Sequence, residues 1–189
     1  MIPEDLRGCD DPRKFTLVVI KFILGVVVGI GLVLGAGFLF IARGGLSLST
    51  AGGPLPMERY LAHTALAASI GDAAEYKSPV GVTEADLLEG ARLYQQNGCM
   101  GCHGALGEGP TAKSKAMYPH IPPLLPPSHG VTDDPVGETY WVVKNGIRFS
   151  GMPSFGAKLS ETELWQITQI LHNADKLPQS VQEALRAKR

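Results

Sequence analysis

From Phe22 to Ala42 the chain runs for 21 residues without a charge, FILGVVVGIGLVLGAGFLFIA, and the apolar character reaches back to Phe15 with only Lys21 interrupting it. About 20 such residues carry a helix across the hydrocarbon core of a bilayer. A helix flanking a small soluble core would keep a polar face, and this one has none. The apolar core of a secretory signal is roughly 7–15 residues long, clearly shorter than this run. Ser49 and Ala51 offer a small-x-small pair for cleavage, but the length favours a retained anchor over residues 15–42. Lys21 can extend its charge to the headgroups. Arg7, Arg13 and Lys14 precede the span and Arg43 and Arg59 follow it, a slight bias toward residues 1–14 on the cytoplasmic side. Gly25 with Gly29, and Gly31 with Gly35, are spaced as small-residue pairs that let membrane helices approach closely. LRGC at 6–9 follows no apolar stretch, so Cys9 reads as a free cytoplasmic thiol and not as a lipidation site.

Beyond the anchor, a chain of 189 residues leaves room for one ordinary domain. The net charge of −1 gives no basic footprint for nucleic acid. Residues 43–55 are rich in Gly and Ser and read as a flexible exit, opening a linker over 43–79. Within it a short helix over about 57–70 would share Met57, Tyr60, Leu61, Thr64, Ala65 and Ala68 on one face, a candidate packing or docking face. The folded domain is expected over 80–178, with residues 179–189 as a C-terminal tail. Thr83 followed by Asp86 marks one helix start, with Leu87, Gly90, Ala91 and Tyr94 on one side. Ser160 and Glu163 form a second capping signature, before a stripe of Leu164, Ile167 and Leu171. No stretch between them alternates as a strand, so the domain is expected to be all-α with long irregular loops.

Only three cysteines occur, and two fall in GCMGCHG at 98–104, with a histidine directly after the second. A structural zinc site wants four ligands, usually two such pairs; Cys9 lies beyond the anchor, and the spacing of His120 and His129 matches no finger. A thioredoxin-like dithiol needs a preceding strand, and here a helix precedes. Cys-x-x-Cys-His is also the attachment signature of c-type haem. In it two thiols add across the vinyl groups and the adjacent histidine reaches the iron, so Cys99, Cys102 and His103 are the candidates for one covalently held haem. A sixth ligand is available 49 residues after His103, where Met152 stands in a Gly-Met-Pro turn that is poor context for a core methionine. A thioether there would raise the potential. Met117, His120 and His129 are nearer rivals in a Pro-rich stretch, and replacing Met117 is expected to matter little.

GARLYQQNGCMGCHG, a Pro-rich loop, YWVVKNGIRFSGMPSFG and LSETELWQITQIL follow one another in this order, and over about residues 80–176 the chain resembles bacterial class I c-type cytochromes. The resemblance implies an all-α haem domain behind a single N-terminal transmembrane helix. It implies that the first and last domain helices cross at Gly90 and Tyr94, with Trp165 or Leu171 facing them. It further implies a proline carbonyl accepting from the proximal histidine and a leucine packed on the ring, for which Pro123 and Leu124 in PPLL are the candidates, with Pro122 close behind. Five prolines in PHIPPLLPPS would then form a stiff wall excluding water from the iron. Trp141, Lys144 and Arg148 are candidates to bond the haem propionates; equally, Trp141 could be core and the two cations solvated.

With both axial positions filled by protein, one-electron transfer is expected in place of catalysis, by a membrane-anchored carrier or by a fixed haem subunit of a larger complex. Expected partners are the bilayer and membrane redox complexes: a quinol-oxidising complex, a terminal oxidase or a photosynthetic reaction centre. Haem attachment outside the cytoplasm, as the resemblance implies, places the domain on the periplasmic face of a bacterial inner membrane. Residues 80–178 hold seven Lys and Arg against ten Asp and Glu, a net of −3, unlike the basic docking ring of mitochondrial cytochrome c.

Overall fold

The computed structural model describes residues 12–186, and these contain helices and no strand. They fall into two compact units, one ending at Gly53 and the other beginning at Pro54. In the first, α1 (Pro12–Ala42) is one continuous helix of 31 residues. At 1.5 Å per residue this is about 46 Å, against roughly 30 Å of hydrocarbon. The mean hydropathy reaches 2.9 over its most apolar window, so by length and composition it can cross a membrane. It starts a turn earlier than the expected anchor and carries Arg13 and Lys14 on its first turn. Cys9 and most of the segment expected to be cytoplasmic lie outside the described residues.

The second unit takes in more chain than the expected domain, at both ends. Helix α2 (Glu58–Ile70) runs into a 3-10 turn at Gly71–Glu75. Here Met57, Tyr60 and Leu61, expected on a packing face, are 64%, 66% and 58% exposed, while Ile70 and Ala73 are buried. The contact is made where the 3-10 backbone meets α6 (Val136–Asn145). A Cβ on Gly137 would lie 2.1 Å from the Ala73 carbonyl oxygen, so only glycine permits the approach. The folded unit therefore begins at Pro54, and the linker expected over 43–79 is shortened to the residues between α1 and that point. At the other end, the expected tail forms α8 (Gln179–Arg186), whose Val181 and Leu185 are fully buried in the core. Its apolar residues fall four apart, on one face, which is what lets so short a helix dock.

The core is organised by α3 (Glu84–Gln96) and α7 (Glu161–His172). Thr83 caps α3, its hydroxyl accepting from Asp86 N–H at 3.2 Å. Ser160 and Glu163 close the full reciprocal capping box on α7. Leu87, Ala91 and Tyr94 are buried with Leu164, Ile167, Ile170 and Leu171. The two helices cross at Gly90, where a Cβ would be 2.3 Å from the carbonyl oxygen of Gln166 and 2.8 Å from Ile170 Cγ2. The atoms nearest that position belong to Gln166 and Ile170, and Tyr94, Trp165 and Leu171 share the buried core beside them. Trp165 turns instead to α6 and stacks on Tyr140, ring centroids 4.0 Å apart.

Candidate functional site

The thiols and His103 lie on one short helix, α4 (Cys99–His103), entered through Gly98 at φ 79°. That left-handed conformation is costly for any residue with a Cβ. It lets the chain leave α3 and turn immediately into α4. The exit of α4 is held by Tyr94, whose buried hydroxyl donates to the Gly104 carbonyl at 3.1 Å; burial pushes the phenol pKa up and keeps it neutral. Thr111, which also caps α5 (Ala112–Ala116), donates to the Cys102 carbonyl at 3.1 Å. Thr111 was missed in the sequence, and Tyr94 was expected only at the helix crossing, because these bonds join segments whose approach only the fold defines.

His103 Nδ1 lies 2.8 Å from a proline carbonyl oxygen, and the proline is Pro122. The expected acceptor, Pro123, is displaced because Leu124 N–H pairs with the His103 carbonyl, and in that register the Pro122 oxygen faces the ring. Burial holds the imidazole pKa down, against the Pro122 contact, which raises it. A neutral ring donating from Nδ1 presents a bare lone pair at Nε2, the form needed to bind a metal. Cys99 is half-buried and burial lifts its thiol to about 11. Such a thiol is not the low-pKa nucleophile of a redox dithiol. Among the described residues, no three His, Cys, Asp or Glu side chains are grouped to hold a metal ion by themselves.

Met152 sits on a loop built against the end of α6. Ile147 N–H bonds the Met152 carbonyl at 3.1 Å, Met152 N–H bonds Ser150 Oγ at 3.1 Å, and Phe155 N–H bonds the Val143 carbonyl at 3.1 Å. Gly146, at φ 70°, has no room for a Cβ beside the Met152 carbonyl and Pro153. Cys99, Leu124, Val131, Val136, Met152 and Phe155 are all half-buried apolar residues packed on the core. The hydroxyl of Thr139, on α6, is buried without a partner among the described residues. These features suit a large, flat, mostly apolar group with polar edges: apolar side chains left half-covered, a buried polar atom unpaired, and an imidazole lone pair beside two thiols. Haem fits this set, with Cys99, Cys102, His103 and Met152 as the residues that would hold it.

Trp141 and Lys144 lie on α6, and Arg148 on the loop that leads to Met152. Trp141 and Lys144 line an open cleft of about 530 Å³ with Tyr76, Lys77 and Pro79. Lys144 Nζ is 2.5 Å from Glu161 Oε1 and also meets the Tyr140 hydroxyl. Val136 and Val143 turn one face of α6 to the core, and Trp141, half-buried, lines the cleft. Arg148 is exposed near the loop tip, beside Phe149, and makes no ion pair among the described residues. His120 and His129 are exposed.

Residues 85–169 match the family model described as cytochrome c oxidase, cbb3-type, subunit III. Neither the curated proteins nor the solved structures give a match. The matched segment runs from α3 to α7, and so contains the two-thiol helix, the proline wall and the Met152 loop. Residues 85–169 are a c-type cytochrome domain, carried behind an N-terminal helix apolar and long enough to span a membrane.

Proposed function

We propose that this chain is a membrane-anchored, monohaem c-type cytochrome that passes single electrons between membrane redox complexes. Cys99 and Cys102 would hold the haem covalently, and His103 Nε2 and Met152 Sδ would be the groups offered to its iron. The observation that carries the reading is the Pro122 carbonyl 2.8 Å from His103 Nδ1, on the same turn as both thiols. The bound group supplies one-electron oxidation and reduction at its iron. The protein orients the imidazole, holds its pKa down, would supply a soft sulfur from Met152 and borders the site with Pro119–Pro127. Two protein ligands and a dry wall leave no position for substrate, which suits electron transfer. A bacterial inner membrane with the domain on its periplasmic face follows from where such motifs are loaded.

A second reading is a fixed haem subunit of a terminal oxidase. Two observations favour it: the description of the matching family, and the short linker left once α2 is counted in the folded unit. Acid acetone should fail to extract the haem, and the pyridine haemochrome should show one c-type haem per chain. Cys99→Ala or Cys102→Ala should leave little holoprotein. Extractable haem would refute the attachment. Purification in mild detergent separates the two roles: a stoichiometric oxidase core travelling with the chain supports the fixed subunit, and a free chain supports the carrier.

A further inference from the structure

The Met152 loop takes its backbone hydrogen bonds from α6 and from itself, through Val143, Lys144, Ile147 and Ser150. The histidine side is tied together separately: Thr111 to the Cys102 carbonyl, Ser114 Oγ to the Ile121 carbonyl, and His103 to the Pro122 carbonyl. Met117 lies between Ser114 and Ile121 in that second network, directly after α5, and is half-buried. Its side chain reaches the first network. A Cβ built on Gly151 would be 2.1 Å from Met117 Cε and 3.3 Å from its Sδ, so the thioether fills the space a side chain would need. Gly151 has no left-handed φ, and the thioether end of Met117 lies where its side chain would stand. An unbranched, polarizable thioether is well suited to lie on bare backbone.

We propose that Met117 is a positioning residue that clamps the Met152 loop to the histidine-bearing wall, so that the two axial ligands are held at one spacing. The inference rests on Met152 as the sixth ligand and corrects the expectation that Met117 is dispensable. Without the clamp the loop keeps its ties to α6 and its packing on the core, and swings from the iron more often.

The test uses the full-length ferric holoprotein in detergent, with three readouts: the weak red charge-transfer band of methionine on ferric haem, the rate of imidazole binding, and thermal unfolding. Met117→Ala should bind imidazole about tenfold faster, equivalent to 1.4 kcal/mol, at temperatures far below unfolding. Gly151→Ala should also bind faster, because its Cβ evicts the thioether. The double variant should match Met117→Ala alone and not the product of the two effects, since both remove one contact. Met117→Leu, which keeps apolar bulk with less reach, should fall between wild type and Ala. A wild-type protein with the band, and single variants that bind imidazole at the wild-type rate or combine multiplicatively, overturns the clamp while leaving the ligand intact. A wild-type protein lacking the band removes the ligand reading, and the clamp with it.

Discussion

Gly90→Ala tests whether the α3–α7 crossing is set by backbone contact. Elsewhere on a helix the change would help, by about 1 kcal/mol of helix propensity. At this position the new Cβ would stand 2.3 Å from the Gln166 carbonyl oxygen and 2.8 Å from its carbon. Relief to an ordinary contact needs about 1 Å of helix separation, and the obstructing atoms are backbone that no rotamer change can move. Overpacking of this kind costs typically 1–3 kcal/mol; taking the upper end and subtracting the propensity gain leaves about 2 kcal/mol of destabilisation. For a unit of this size that is a fall in Tm of roughly 8 °C, measured by far-UV circular dichroism of the detergent-solubilised chain. Gly101→Ala, on α4, is the control: nothing lies within 4 Å of its Cβ position and its φ is not left-handed. It should leave Tm unchanged or slightly raised. An unchanged or higher Tm for Gly90→Ala would refute the close crossing.

Met152→Ala should abolish the methionine charge-transfer band, open the site to exogenous ligands and lower the potential through loss of the soft ligand; if the band survives, Met117 is the ligand instead. Truncation after Pro178 removes α8 and uncovers the surface under Val181 and Leu185, both 0% exposed. At about 1.5–3 kcal/mol for each fully buried side chain, the loss should show as a clear fall in urea midpoint, and a tail without structural role would give no shift. Glu161 accepts from Lys144 and Tyr140, which hold its carboxyl below the usual carboxylate range. Its contribution is present at neutral pH and lost as pH falls through that lowered value. Glu161→Gln should therefore flatten the acid limb of a Tm-against-pH profile while changing neutral stability little, since the pair is exposed.

Much of this protein follows from local pattern. The charge-free run needs no tertiary partner to become a helix, because hydrogen bonds within the segment and an apolar surroundings suffice. The caps at Thr83 and Ser160 are satisfied within three residues. Cys99, Cys102 and His103 share one turn, and their chemistry is legible from spacing alone. What the sequence leaves open are choices between near-equal neighbours. Pro122 and Pro123 are chemically alike, and the register of the proline segment against α4 selects the former. Trp141 reads equally as a haem-edge or a core residue, and the rotation of α6 is what sets it in the cleft with Tyr76. The 3-10 turn and α8 read as linker and tail because their few apolar residues gain value only against a surface built from residues far along the chain. Met117 is the same case: its partner is a glycine, which carries no side chain and leaves no mark in any periodicity. Helices, caps and ligand types are short-range properties and can be read in order; register, rotation and contact with bare backbone depend on how distant segments meet, and only the tertiary structure decides them.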